Sequence, residues 1–277
     1  MRAHRLAALL ALLAPGCAFG LDYSGDESGL RREALELEGG RRLSYLVHGD
    51  ATKPRVIFVH GSPGSAVMYA DYLRELADEA EVVAVDRLGY GASRGKGAVV
   101  SFAEQSASIE PLLVEREGTW PIVVGHSLGG PIATRIAADY PGRVGALVVV
   151  AGGLNPELED PRWYNEVARW WIVYPFLTDF LKVSNKEMWA CREQVAELDP
   201  LLDRITCPVV VIHGTADTLV PFETIQYSVE RLGDNEYLYV SVLIGEDHSI
   251  TKLRREEVRE TVEELLDGLT NFVEDPR

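Results

Sequence analysis

The feature that most constrains the fold of this chain is a series of short apolar runs that alternate with helix-like segments. The runs lie at residues 55–59, 81–85, 122–124, 146–150, 209–212 and 237–242. The helix-like segments lie at residues 65–80, 102–116, 128–140, 222–232 and 254–272. Near-continuous apolar runs are typical of strands that are covered on both faces. Alternation of this kind predicts a mostly parallel sheet with right-handed crossovers and with helices on both faces.

A hairpin is expected before the first of these runs. Residues 34–38 and 42–48 read as two strands joined around Gly39-Gly40, which would add antiparallel strands at one edge of the sheet. The chain has 277 residues and is 47% apolar, which is enough to bury a large core. Because α/β domains of this size are often undivided, we predict a single α/β domain over residues 21–277.

A short motif, Gly125-His-Ser-Leu-Gly129, follows the strand that is predicted to end at Val124. A serine with glycines two positions before and after it, between a strand and a helix, is typical of a nucleophile elbow. The turn lifts the serine hydroxyl clear of the sheet, and it leaves Ser127 at a helix N-terminus, where backbone N–H groups favour negative charge. Ser127 is therefore the candidate nucleophile, and the neighbouring His126 is expected to point to the opposite side of the turn.

A nucleophilic serine needs a base, and the base needs an acid that orients it. His248 lies between the last predicted strand and the last helix, at the sheet edge where the elbow opens. Asp217 follows a buried strand and can accept a hydrogen bond from an imidazole. Asp247 is the rival acid, but side chains of adjacent residues rarely face each other. The candidate catalytic residues are therefore Ser127, Asp217 and His248.

Backbone amides on two loops are expected to complete this site. The segment His60-Gly-Ser-Pro-Gly64 directly follows the strand at 55–59, and its glycines let the Ser62 N–H face the site opposite the N–H of Leu128. Two fixed donors would hold a tetrahedral oxyanion, and loss of one donor costs about 3–4 kcal/mol in comparable sites. Ser62 and Leu128 are therefore the predicted oxyanion-hole residues.

One long segment, residues 153–204, contains no predicted strand and is far longer than an ordinary connection. Four of the five tryptophans of the chain lie in it, namely Trp163, Trp170, Trp171 and Trp189. We predict a helical lid here, because loops at the carboxyl ends of the strands lie over the catalytic face of such sheets. An additional pair of core-packing helices is the alternative.

The first twenty residues differ from the rest of the chain. A basic segment at 1–5 precedes an apolar stretch at 6–14 and the small-residue site Ala18-Phe-Gly20. This pattern is typical of a secretory signal and is too short for a permanent membrane span. We expect cleavage after Gly20, and the alternative is a lipoprotein signal that ends before a lipid-bearing Cys17. Both alternatives predict export, to the periplasm or the cell envelope.

Charge and cysteine content exclude several partners. The chain has 27 basic and 43 acidic residues, a net charge of −16, which disfavours nucleic acid and anionic lipid headgroups. No zinc-ligand pattern occurs, so neither a metal nor an organic cofactor is expected. Beyond the predicted signal only Cys191 and Cys207 remain, and the sequence leaves open whether they pair or stay as buried thiols.

Five motifs, in this order, resemble those of the α/β-hydrolase superfamily, in the branch with a serine nucleophile and a His-Gly-x-Pro-Gly oxyanion loop. The motifs are His60–Gly64, Asp86-Arg-Leu-Gly-Tyr-Gly-Ala-Ser93, Gly125–Gly130, His213–Asp217 with Val220-Pro221, and Asp247-His248. The resemblance covers about residue 33 to the C-terminus. It implies an eight-stranded core, a lid after the sixth strand and a Ser127–Asp217–His248 triad. Epoxide hydrolases and haloalkane dehalogenases share the Pro-Gly loop but use an aspartate nucleophile, so Ser127 counts against both.

These residues predict an esterase or lipase that cleaves a small-molecule or lipid ester through an acyl-enzyme. Aminopeptidases and carbon–carbon bond hydrolases share the fold and the triad. Acidic side chains of the insertion would suit a substrate amine, namely Glu157, Glu159, Asp160 and Glu166, whereas the aromatic segment 169–177 would suit an acyl chain or a lipid surface. The alternative from another class is a binding protein that kept the fold and lost catalysis, against which the intact Ser127, His248 and elbow glycines argue.

Overall fold

The computed structural model describes the backbone of residues 26–93, 95 and 97–274, and the side chains as far as residue 269. The predicted signal at 1–20, including Cys17, lies outside the described residues. Within them, eight strands form one sheet: β1 (Arg31–Leu37), β2 (Arg41–His48), β3 (Arg55–Val59), β4 (Glu81–Asp86), β5 (Ile122–His126), β6 (Ala146–Val150), β7 (Val209–Gly214) and β8 (Leu238–Leu243). The strand order is β1-β2-β4-β3-β5-β6-β7-β8. β2 pairs antiparallel with β1 and β4, and the other pairs are parallel, so the predicted α/β sheet with an antiparallel edge is confirmed.

The hairpin at the edge turns at the two glycines that the sequence indicated. Gly39 and Gly40 have φ values of 70° and 66°, in the left-handed region that glycine enters without steric cost. This turn brings Leu37 opposite Arg41 and starts an antiparallel register that continues to Arg31 and Val47.

The core has two layers, one on each face of the sheet. Ile57 and Val59 pack into one layer, whereas Val56 and Phe58 pack into the other, because successive side chains of a strand point to opposite faces. All four side chains are fully buried. Covering both faces leaves the two ends of the sheet as the open surfaces, and the loops at the carboxyl ends of the parallel strands share one of them.

The helices that cover the sheet are α1 (Ala70–Glu75), α2 (Phe102–Ile109), α3 (Gly129–Asp139), α4 (Trp163–Val167), α5 (Asp179–Leu198), α6 (Thr224–Leu232), α7 (Ile250–Leu253) and α8 (Arg255–Glu274). Two of them are shorter than the sequence predicts. The predicted helix at 65–80 is a 3-10 turn at Ala66–Tyr69 followed by α1. The predicted helix at 102–116 ends at Ile109, because Pro111 cannot donate a backbone hydrogen bond and restricts the residue before it.

The segment between β6 and β7 contains α4, α5 and short 3-10 turns, and no strand occurs in this described part of the chain. We call residues 153–204 the helical insertion. Its longest helix, α5, buries Cys191, Val195 and Leu198 in the core, so the C-terminal half of this helix is a core-packing element. The stretch before α5 has the opposite character, because Trp171 and Phe176 are 85% and 80% exposed. The C-terminal half of α5 thus fits the core-packing alternative, and the lid stays a prediction.

Candidate active site

Ser127 occupies a strained turn between β5 and α3. Its φ is +54°, a left-handed value that non-glycine residues rarely adopt and that is frequent at functional sites. The turn is held by backbone hydrogen bonds, from the Ser127 N–H to the Val150 carbonyl (2.9 Å) and from the Gly130 N–H to the Ser127 carbonyl (2.8 Å). A Cβ on Gly125 would lie 2.1 Å from the Gly129 oxygen, and one on Gly129 would lie 2.1 Å from the Val59 oxygen. Glycine is therefore required at both positions, because the neighbouring backbone comes too close to leave room for a side chain.

The loop after β8 brings His248 to Asp217. The distance from His248 Nδ1 to Asp217 Oδ2 is 2.7 Å. Since a carboxylate can only accept, Nδ1 is the donor, and the other ring nitrogen, Nε2, is then an acceptor in the neutral imidazole. This is the tautomer that a general base requires. Asp247, the rival acid, is exposed, and its Oδ1 accepts the Ser249 N–H instead (2.7 Å).

The Asp217 carboxylate is itself fixed by the backbone. Its Oδ1 accepts the N–H groups of Leu219 and Val220, each at 2.9 Å. Burial by itself would raise the pKa of Asp217, but the hydrogen bond from His248 and these two amides outweigh burial and lower the pKa below its usual value. The carboxylate is therefore ionised at neutral pH, and it can stabilise an imidazolium at His248.

A cavity of about 160 Å³ opens at this end of the sheet. Four of the predicted site residues line it, namely Ser62, Ser127, Leu128 and His248, while Asp217 lies behind the imidazole. Gly61 packs against the nucleophile, since a Cβ there would lie 2.7 Å from Ser127 Cβ and 3.2 Å from Ser127 Oγ. The structure thus brings together all five residues that the sequence analysis singled out. A pocket with a few convergent polar groups is the usual form of a small-molecule site.

Arg87 fixes the loop that carries Ser62, a role that sequence reasoning missed. Its Nε donates to the His60 carbonyl (2.7 Å) and its Nη2 to the Gly61 carbonyl (2.8 Å). Its Nη1 donates to Glu187 Oε1 on α5 (2.7 Å), and the two side chains are 0% and 3% exposed. Burial alone would lower the pKa of Arg87, but Coulombic attraction to Glu187 and the hydrogen bonds that Arg87 donates to Glu187 raise it, so the guanidinium is charged. Arg87 was visible only as part of the Asp86–Ser93 motif, and nothing in the sequence connects it with Glu187.

The side chain of Ser62 joins the same network. Its Oγ lies 2.9 Å from the Tyr90 hydroxyl and 3.0 Å from Ser184 Oγ on α5. The Tyr90 hydroxyl in turn donates to Glu187 Oε2 (2.6 Å). The loop that carries Ser62 is thereby attached to the helical insertion through the Ser62 side chain as well as through Arg87.

His126 is placed differently from the prediction. Its ring lies 5.0 Å from the His248 ring, it lines the same cavity, and its Nε2 lies 3.0 Å from the His248 carbonyl, to which it donates. The expectation that it points away from the site is therefore wrong. Burial is the main cause that lowers the pKa of His126 to about 3, and electrostatic repulsion from the nearby His248 acts in the same direction. The imidazole is therefore neutral, and its hydrogen bond supports the His248 loop.

The acidic residues of the insertion differ in their environment. Glu159 and Asp160 line the cavity, and the cavity lining does not include Glu157 and Glu166. Asp160 forms an ion pair with Arg192 (2.6 Å). Glu159 is partly buried, which raises the pKa of its carboxyl, and its Oε2 accepts a hydrogen bond from the Cys191 thiol (3.3 Å).

Two cysteines, Cys191 and Cys207, lie within the described residues. Cys191 and Cys207 are buried free thiols, so these two cysteines do not form a disulfide. Burial raises the pKa of Cys207 to about 12, which makes this thiol a weak nucleophile.

No group of three or more potential metal ligands occurs in the part of the chain that the structure describes. No helix there is long and apolar enough to cross a bilayer.

Comparison with known proteins agrees with this architecture. A family model described as alpha/beta hydrolase fold matches residues 54–180. Monoacylglycerol lipase of Mycolicibacterium smegmatis is 25% identical over 272 residues, which cover 85% of this chain and 94% of that protein. Epoxide hydrolase 4 of Mus musculus is 32% identical over 115 residues, 41% of this chain, and the match spans only 32% of that protein's length.

A solved structure gives the same result for the fold. The crystal structure of Paleococcus ferrophilus monoacylglycerol lipase superposes with a TM-score of 0.63 at 23% identity, covering 86% of this chain and 98% of that chain. Similarity at this level supports the fold alone. The sheet order, the elbow and the family match together show an α/β-hydrolase fold.

Proposed function

We propose that this chain is a serine hydrolase that cleaves carboxylic esters, of the esterase or lipase type. The observation that carries the proposal is the 2.7 Å hydrogen bond from His248 to Asp217, beside a cavity that His248 shares with Ser127 in a strained elbow. A nucleophile, an oriented base and an ionised acid are the parts that acyl transfer requires. A monoacylglycerol lipase that matches over nearly its full length supports the same class of reaction.

In the proposed mechanism, Nε2 of His248 takes the proton of the Ser127 hydroxyl while Oγ attacks the carbonyl carbon of the ester. The negative oxygen of the tetrahedral intermediate accepts hydrogen bonds from the N–H groups of Ser62 and Leu128. Collapse breaks the bond to the alcohol, which receives its proton from His248. Water then attacks the acyl-enzyme with His248 as base, the acid leaves, and Ser127 regains its proton.

Labelling with a fluorophosphonate probe, alongside turnover of p-nitrophenyl esters of increasing chain length, tests the proposal. We expect wild-type labelling and ester turnover, and loss of both in Ser127→Ala and in His248→Ala. Matched controls are Ser249→Ala, whose exposed side chain makes no cap hydrogen bond, and His48→Ala in the edge hairpin; both should behave as wild type. A folded wild-type protein that is not labelled would overturn the proposal and favour a binding protein.

Chain-length dependence separates the two types of ester hydrolase. A short-chain esterase would lose turnover as the acyl chain lengthens. A lipase would keep its turnover with long acyl chains. Labelling without turnover of any ester would instead favour an amide or peptide substrate.

We also propose that residues 1–20 direct export. The sequence pattern of a basic segment, an apolar stretch and a small-residue site supports this. Intact mass of the protein recovered from the cell envelope distinguishes the two forms of the proposal. Cleavage after Gly20 gives an unmodified chain that begins at Leu21, whereas lipidation gives a chain that begins at Cys17 with added acyl mass and is lost in Cys17→Ser.

A further inference from the structure

The cavity wall contains a carboxyl group that the proposed mechanism does not use. Glu159 lies in the first part of the helical insertion, just after the 3-10 turn Pro156–Leu158, and it lines the same cavity as Ser127 and His248. The only hydrogen bond that the described residues provide to its carboxyl comes from the Cys191 thiol, at 3.3 Å. A thiol is a weak donor, and an ionised carboxyl can accept about four hydrogen bonds. The carboxyl is therefore short of donors on its cavity side.

The backbone makes room for this carboxyl. A Cβ on Gly153 would lie 1.8 Å from Glu159 Oε1, so this oxygen occupies the space that any larger residue at 153 would fill. Burying a carboxyl that lacks strong donors costs free energy. A ligand that supplies hydrogen-bond donors to this carboxyl, next to the candidate nucleophile, is expected to offset that cost when it binds.

Two other acidic side chains of the insertion are paired within the protein. Asp160 pairs with Arg192 at 2.6 Å, and Glu187 pairs with the buried Arg87 at 2.7 Å. No ion pair within 4.0 Å involves Glu159 in the described part of the chain. Arg162 lines the same cavity and its charge acts on Glu159, but its Nη2 donates to the carbonyls of Thr218 and Leu219 at 3.1 Å each.

We propose that Glu159 binds a protonated amine of the substrate, so that the enzyme prefers esters that carry an ammonium group close to the scissile carbonyl. This inference rests on the proposed ester hydrolysis and names its substrate class. An ammonium group supplies three donors and a compensating charge, whereas a hydroxyl supplies one donor and no charge. The net charge of −16 favours the approach of cationic substrates as well.

The test uses pairs of β-naphthyl esters that differ in one group. Each aminoacyl ester, with its ammonium on carbon 2, 3 or 4, is compared with the acyl ester that has a methyl group in that place. The pair L-alanyl and 2-methylpropanoyl is one example. We expect the wild-type protein to prefer at least one of the amino esters by about tenfold or more in kcat/KM, as a charge-assisted hydrogen bond predicts.

Glu159→Gln keeps the shape of the side chain and removes its charge. We expect this variant to lose the preference for the amino ester while it retains the turnover of the methyl ester and the labelling by a fluorophosphonate. Asp160→Asn is the matched control, because its carboxyl lines the same cavity but is paired with Arg192. It should keep the preference of the wild type.

Two results would overturn the inference. One is an equal kcat/KM for both members of every pair in the wild-type protein, and the other is a preference that persists in Glu159→Gln. Turnover of the methyl esters is independent of Glu159. If these esters are cleaved without any preference for an amine, the proposed function stands and the substrate class is wrong; if no ester is cleaved and no probe reacts, the proposed function itself fails.

Discussion

Two regions of the molecule meet at the cavity, and they are built in different ways. On the side of the sheet, the loops after β3, β5 and β7 hold their polar groups with backbone hydrogen bonds and buried partners, as the amides of Leu219 and Val220 do for Asp217. On the other side, the helical insertion exposes much of its aromatic surface, including Trp163 (65%) and Trp171 (85%).

This difference indicates a division of roles. The residues of the candidate triad lie on loops fixed by the sheet, whereas Glu159, which we propose selects the substrate, lies on a segment with more exposed surface. One buried connection between the two regions is the Arg87–Glu187 ion pair, which links the Ser62 loop to α5. The comparison therefore predicts large effects from changes on the side of the sheet and at this ion pair, and small effects from changes on the outer surface of the insertion.

The largest effect is expected at the acid of the candidate triad. Asp217→Asn cannot hold His248 in the tautomer that accepts a proton, and we expect kcat to fall about 10⁴-fold with little change in KM. Steady-state kinetics with a short p-nitrophenyl ester measure this. Asp247→Asn, next to His248 but exposed, should stay within about threefold of the wild type; if it matched Asp217→Asn, the assignment of the acid would be wrong.

The connection between the two regions is tested by Glu187→Ala. This change leaves the Arg87 guanidinium charged and unpaired in the interior, and the free energy of unfolding should fall by about 3–5 kcal/mol. Urea denaturation measures it. Glu166→Ala, which breaks an exposed pair with Arg169 at 3.8 Å in the same insertion, should change stability by no more than about 0.5 kcal/mol. Equal losses would show that burial does not distinguish the two pairs.

Acid should destabilise the protein through histidines on the side of the sheet. Burial is the main cause that lowers the pKa of His60, His126 and His213, and for His126 the value is about 3. Below the unfolded-state pKa near 6.5 the unfolded chain binds protons that the folded chain does not, so stability falls with decreasing pH by about 1.4 kcal/mol per unit for each such histidine. Between pH 6.5 and 4, His126→Gln should show a shallower loss than the wild type in urea denaturation. An unchanged slope would mean that His126 titrates normally in the folded protein.

The smallest effect is expected on the outer surface of the insertion. Trp171→Ser and Phe176→Ser remove side chains that are 85% and 80% exposed, and each should change the free energy of unfolding by less than about 0.5 kcal/mol. Phe58→Ala in the core should cost about 3–5 kcal/mol under the same conditions. A large loss in either surface variant would mean that the aromatic side chain packs against the rest of the protein.

Much of the site could be predicted from the sequence because its elements are local. The elbow at Ser127 needs glycines at fixed offsets, and the strand before it is a continuous apolar run, so both are readable in a few residues. Asp217 and His248 follow predicted strands, and parallel strands bring their carboxyl ends to one edge. The predicted direction of the His126 side chain was wrong because this side chain, in a tight turn, is oriented by its contact with the His248 loop, 122 residues away.

The class of the fold, the elbow and the candidate triad could be read from the sequence, because strand periodicity and turn chemistry are properties of neighbouring residues. The folded structure was needed to show which acidic side chains are paired, that Arg87 and Glu187 meet across 100 positions, and that Glu159 lies in the cavity with the Cys191 thiol as its one hydrogen-bond donor among the described residues. Pairing and burial depend on distances between segments that are remote in the chain, and composition does not record those distances.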